Sequence, residues 1–206
     1  MFAKEGLEGV VAARTGLSLI DGEKGRLSYR GYSIHELAEN SNFEEVVHLL
    51  WYGELPTASQ LEQTRKDLSS QRALHPDALD LLKRFARDAS PMDSTREANL
   101  RKGIRLTAQL PTIVTAHERL RKGKAPVPPD AGLDHAANYL YMLHDRKPDA
   151  LSTRSLDVAM ILQMDHGLNA STFAARVTAG TMADLHAAVT SAIGTLKGPL
   201  HGGANH

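Results

Sequence analysis

The sequence predicts a mainly α-helical fold that carries a small β-hairpin at its N-terminal end. Three observations predict it. One strand-pair pattern stands in the first thirty residues, and no other segment reads as strongly. From residue 33 onward, helix-start signatures recur ahead of apolar runs. Toward the C-terminal end, Leu185, Ala188, Val189, Ala192, Ile193 and Leu196 recur at three- and four-residue steps, the spacing of one helix face.

The elements follow in order. GLSLI and RLSY read as short strands joined by DGEKG, in which Asp21-Gly22 and Gly25 supply the turn. The hairpin segment covers about residues 1–32, and residues 33–206 are helices. Ser33 to Glu36 and Ser41 to Glu44 both fit a capping box, in which a hydroxyl and a carboxylate satisfy the first unpaired amides of a helix. The second box opens FEEVVHLLWY, which stops at Gly53 with Pro56 soon after. Thr57 with Gln60 starts a helix through about Leu74, and His75-Pro76-Asp77 starts the next. ANLRKGIRLTAQLPTIVTAHERL is one long helix or two, because Pro111 lacks an amide and should kink or break it. KGKAPVPP, residues 122–129, is a surface connection rather than a domain boundary. LDHAANYLYML, SLDVAMILQMDHG, NASTFAARVTAG and ADLHAAVTSAIGTLKG are the remaining helices. The last of them are rich in Ala, with Gly180 and Gly194, so their axes can approach closely. A tight intramolecular core and a buried subunit interface both fit that composition.

Composition narrows the function. The 206 residues hold 24 Lys plus Arg against 24 Asp plus Glu, a formal net charge of zero that gives no reason to expect nucleic acid or an anionic membrane as partner. There is no Cys, which excludes disulfides, thiolate nucleophiles and Cys-based zinc sites. No His pair stands at metal-ligand spacing, and no phosphate loop, dinucleotide fingerprint or GxSxG elbow is present. His117, His135, His144 and His186 sit on predicted helices at unrelated spacings and read as solvated or structural. RLRKGK, residues 119–124, reads as a solvated helix end. Neither a signal-peptide core nor a membrane-length apolar run occurs, so a cytoplasmic address is the default.

Two short segments have the makings of a site. The chain ends in KGPLHGGANH, where a helix stops at Gly198-Pro199 and His201 follows inside a glycine-rich turn. Glycines let backbone approach a ligand closely. Read alone, that pattern fits a helix stop with an incidental surface His better than a site. In MDHGLNAS, His166 lies where one helix ends and another begins, and Asn169 is a good N-cap for the second. A helix start offers free amides to an anion, so a carboxylate could meet His166, Asn169 and backbone donors together. Ordinary capping accounts for Asn169 and Ser171 and leaves His166 without a role.

GLEGVVAARTGLSLIDGEKGRLSYRGYSIHELAE, FEEVVHLLWYGELPT, NYLYML, DHGLNASTFAARV and LKGPLHGGAN together resemble the citrate synthase family in its bacterial-type form, along nearly the whole chain. Pro91-Met92-Asp93 matches a further short motif, with Ser90 where the family usually has His. The resemblance implies an almost entirely helical, homodimeric enzyme that condenses acetyl-CoA with oxaloacetate and water to give citrate and CoA, without metal or redox cofactor. It places the thioester-polarising His on His201 and an oxaloacetate-binding His on His166, with Asn169, Ser171 and Gly202 beside them. Gly167 stands where many members have Glu. It also implies that residues 1–206 are the N-terminal part of the large domain. The family's other catalytic His, its catalytic Asp and its smaller CoA-closing domain lie beyond, so the chain alone is expected to be inactive. A 2-methylcitrate synthase using propionyl-CoA, and a non-catalytic helical half-subunit, are the alternatives.

Overall fold

The structure is a computed structural model that describes residues 15–74 and 96–205. The expected helix start at His75-Pro76-Asp77, the Pro91-Met92-Asp93 motif and the segment through Arg14 lie outside the described residues. The architecture is mainly α, with a small antiparallel sheet at the N-terminal end.

Strands β1 (Ser18–Asp21) and β2 (Arg26–Tyr29) pair antiparallel, Ser18 opposite Tyr29 and Asp21 opposite Arg26. The expected hairpin is there, and a third strand extends it. β3 (Tyr32–Ser33) pairs with the end of β2. The intervening residues, Arg30 (φ 49°) and Gly31 (φ 93°), both take positive φ, as a two-residue hairpin turn requires. Arg at positive φ is uncommon, so the local sequence signals only half of that turn.

Helices α1 (Ile34–Asn40), α2 (Phe43–Tyr52) and α3 (Ala58–Ser70) follow. Ser33 does cap α1, accepting from the His35 amide, and Thr57 with Gln60 makes the expected box on α3. The box on α2 is displaced by one residue: Asn42 is the cap and Glu45 its partner. Glu44, expected to serve there, is buried, and its Oε1 accepts from the His135 amide at 2.8 Å. It thereby caps α5 (His135–His144), whose own N-cap Asp134 makes no side-chain capping bond.

Between them runs α4 (Arg96–Arg121), a single helix with Pro111 inside. Pro111 does not divide it. Thr115 Oγ1 donates to the Pro111 carbonyl at 2.8 Å one turn on. The 122–129 connection is without helix or strand, as expected. Arg119 holds it, with Nε donating to the Ala125 carbonyl at 2.6 Å and Nη2 to Asp145 at 3.1 Å. The chain closes with α6 (Ala150–Leu162), α7 (Ala170–Gly180), α8 (Leu185–Leu196) and a 3-10 turn, Gly202–Asn205.

α2 sits at the centre. Val46 and Leu49 join Tyr29, Ile34, Leu37 and Ile161 in one apolar cluster, while Phe43 and Val47 join Leu68, Ile104 and Ala108 in another. α6 is locked against the α1–α2 junction by two side chains. Arg154 donates to the Ala38 and Ser41 carbonyls at 2.6 and 2.7 Å, and Asp157 Oδ1 accepts from the Phe43 amide at 2.8 Å. That lock fixes where the C-terminal end of α6, and the turn after it, can stand. α7 and α8 pack on each other, yet α7 buries no residue fully and α8 only Ala188.

Candidate active site

The two segments singled out in the sequence meet. One is the turn from α6 to α7, residues 163–169; the other is the turn after α8 that carries His201. Asn169 caps α7, its Oδ1 accepting from the Thr172 amide at 2.8 Å. The same oxygen accepts from Ser171 Oγ at 2.8 Å. Ser171 Oγ in turn lies 2.9 Å from His201 Nε2. Three of the candidates therefore form one chain of hydrogen bonds, from cap to hydroxyl to imidazole, whose last link joins residues 30 apart in sequence.

This chain can set the protonation pattern of a neutral His201. Ser171 has one proton and two acceptors within reach, Asn169 Oδ1 and His201 Nε2. When the proton goes to Asn169, Nε2 must carry the imidazole hydrogen. When it goes to Nε2, the hydrogen moves to Nδ1, and a neutral imidazole presents a donor on the side away from Ser171.

Gly202 is demanded by packing. A Cβ there would run into the backbone carbonyl oxygen of Leu196. His201 and Gly202 both donate their amides to the Gly198 carbonyl at 3.0 Å, which tightens the turn. His166 is exposed and makes no hydrogen bond among the described residues. Its neighbours are fixed instead: Asp165 Oδ1 accepts from the Gly167 amide at 2.9 Å, and Gly167 has φ 61°, a left-handed conformation that suits glycine. The described structure places no hydrogen bond between His166 and His201. A cavity of about 410 Å³ lined by Asn42, Glu44, Asp134, Arg154 and Asp157 contains none of the candidate residues. Among the described residues no cluster of three or more His, Cys, Asp or Glu side chains is placed to hold a metal ion, and no helix is long and apolar enough to cross a membrane.

The family model described as citrate synthase, C-terminal domain, matches residues 6–206. The chain belongs to the citrate synthase family. The citrate synthase of Haloferax volcanii is 45% identical over 98% of this chain and 59% of its own length. The 2-methylcitrate synthase of Mycobacterium tuberculosis is 40% identical over 98% of this chain and 56% of its own. The chain thus spans little more than half the length of the curated relatives it matches. The citrate synthase of Thermoplasma acidophilum, solved as a ternary complex with carboxymethyl coenzyme A and oxaloacetate, superposes with a TM-score of 0.89 at 25% identity, over 98% of this chain and 58% of that one. The helical architecture is therefore that of citrate synthases, with the small sheet at the N-terminal end. Sequence reasoning missed Tyr29, whose hydroxyl reaches the α6–α7 turn; a Tyr in a strand signals only a packed ring.

Proposed function

We propose that this chain forms part of an acyltransferase that condenses acetyl-CoA with oxaloacetate and water to give citrate and CoA. The observation that supports this reading most is the Asn169–Ser171–His201 hydrogen-bond chain, found in a member of the citrate synthase family. In the proposed mechanism His201 donates to the thioester carbonyl oxygen while the acetyl methyl loses its proton. Negative charge then grows on that oxygen, and a donor already aimed at it lowers the barrier. The Nδ1–H form of His201, in which Ser171 turns its one proton from Asn169 to Nε2, gives a neutral donor. His166 binds oxaloacetate; its exposed ring, beside the start of α7, leaves room for a dicarboxylate. Gly202 lets the turn lie flat against α8, next to the substrate. No metal or redox cofactor is required.

Condensation also needs a base for the methyl and an acid for the oxaloacetate carbonyl. No other segment of these 206 residues resembles the family segments that bear them. We expect the 206 residues by themselves to make no citrate, since catalytic groups that act as a unit are strongly non-additive. A thiol reagent reporting CoA release from acetyl-CoA and oxaloacetate tests this; turnover that disappears in His201→Ala would show the needed groups to be present. In an enzyme that contains this chain with those groups, His201→Ala lowers turnover about 100- to 1000-fold. Turnover within a few-fold of the parent would overturn the assignment of His201.

A second acyl substrate has an observation in its favour, the 40% identity to a 2-methylcitrate synthase. Propionyl-CoA differs by one methylene, worth about 10- to 200-fold in selectivity. Competition between the two thioesters decides. The proposed assembly is a cytoplasmic homodimer centred on α7 and α8, whose apolar side chains Phe173, Val177, Ile193 and Leu196 are exposed in the single chain. Those faces also suit a non-catalytic helical half-subunit, which loss of CoA release in His201→Ala would exclude.

A further inference from the structure

We propose that Tyr29 is a positioning residue for His166: from the N-terminal sheet, its hydroxyl fixes the turn on which His166 stands. The inference rests on the reading above that His166 meets oxaloacetate.

Tyr29 is fully buried at the end of β2, and its ring packs among Ile34, Leu37, Val46, Leu49 and Ile161. A Phe would pack there as well. The hydroxyl needs its own account. It lies 3.1 Å from the Asp165 carbonyl and 3.4 Å from the Leu162 carbonyl, and it accepts from the Asp165 amide at 3.2 Å. One phenol thus accepts from the amide of the residue preceding His166 and offers its single proton to two carbonyls, that of Asp165 at the shorter distance and that of Leu162, an end carbonyl of α6 with no partner in its own helix. Desolvation by burial holds the Tyr29 hydroxyl above its ordinary value, against the backbone bond at Asp165, so it stays protonated and able to donate.

The other side of His166 is held as well. Asp165 Oδ1 accepts from the Gly167 amide, closing a short turn over His166. Ile20 Cδ1 of β1 lies 3.2 Å from where a Cβ on residue 167 would stand. Two residues of the small sheet therefore clamp the backbone on either side of a His whose ring is exposed. A ring held that way meets a ligand without first having to be ordered, which is the advantage of pre-organisation.

The test uses the 206-residue chain labelled on backbone nitrogen and His rings, with Tyr29→Phe as the variant. In the parent, the Asp165 amide should be protected from hydrogen exchange; rapid exchange there would overturn the proposal without any variant. In Tyr29→Phe, the Asp165 amide should exchange at least about tenfold faster. The His166 ring signal should shift or broaden, while those of His48 and His135, packed elsewhere, stay in place. Titration with oxaloacetate, followed at His166, should need roughly tenfold more ligand. A merely structural role would lower the melting temperature and leave the His166 signal and its titration unchanged, which would sink the proposal. If oxaloacetate moves no His166 signal in the parent, the reading of His166 as its ligand fails, while the exchange and ring-signal comparison still judges Tyr29. Should Tyr29→Phe not fold, Ile20→Ala, at a half-exposed position, replaces it: the proposal expects a smaller shift of the His166 signal, and no shift counts against the clamp.

Discussion

At the residue scale, the site is a matter of which hydroxyl proton goes where. Ser171→Ala removes the one hydrogen-bond partner of His201 Nε2 among the described residues, and with it the group that selects between the two neutral forms of the imidazole. In an enzyme that contains this chain together with a base and an acid for the condensation, we expect turnover to fall roughly tenfold with acyl-CoA affinity nearly unchanged, since a single hydrogen bond of this kind is lost. Steady-state kinetics check it: a rise in KM alone, with turnover intact, would place Ser171 in substrate binding instead. His166→Ala is expected to weaken oxaloacetate by about 10- to 150-fold, the worth of a hydrogen bond to a charged group; an unchanged KM at normal turnover would remove His166 from the site. The candidates His201, His166, Asn169, Ser171 and Gly202 could be singled out from the sequence because each sits in a short segment whose order of residue types is distinctive. The role of Gly202 in packing could not, since only the folded chain brings the Leu196 carbonyl against it. Tyr29 was invisible for a similar reason: 136 residues separate it from the backbone it holds.

At the scale of elements, most helices and the hairpin were legible, because caps and apolar spacing are local. What was not legible is borrowed capping. Glu44 stands where a local reading makes it the partner in the α2 box, yet it is used by α5, and Asn42 with Glu45 takes over. The consequence is a titratable group at the start of α5. The His135 ring stacks on Phe43 with centroids 4.3 Å apart, and its buried Nδ1 has no hydrogen-bond partner among the described residues. Burial first, and the Arg72 charge second, push its imidazole down to about 4. A neutral His in the fold faces a His in the unfolded chain that protonates near 6.5, so stability is lost as pH falls from about 6.5 to about 4. The full span is worth roughly 3 kcal/mol. Glu44 works the other way. Burial raises it, so the fold takes up that proton before the unfolded chain does, and acidification favours the fold. The two are separated by His135→Phe, which keeps the stack and leaves Glu44 in place. Denaturant melts across this pH range should show a shallower acid loss in the variant; identical slopes would clear His135 of the effect.

At the scale of the whole molecule, the α7–α8 pair is where apolar side chains stay exposed in the single chain. The stripe expected on α8 is there, but Ile193 and Leu196 are about half exposed, and Val177 on α7 is more than half exposed. We expect a dimer in sedimentation at micromolar concentration, and a monomer after Val177→Asp with Ile193→Asp, because a buried unpaired carboxylate on each side opposes association. A folded parent chain that sediments as a monomer would refute the interface. The sheet has a different bearing on the whole. It is short, and Leu19 and Ile20 on it are 69% and 49% exposed among the described residues, so it belongs among the less protected regions of the fold. Yet through Tyr29 it adds its own hold on a turn that α6 also positions, at the residue just before His166. Durability and competence are therefore lodged in different places. On mild warming, a population could keep its helices and lose its grip on ligand, a failure that far-UV circular dichroism would pass over and that only a functional assay would record.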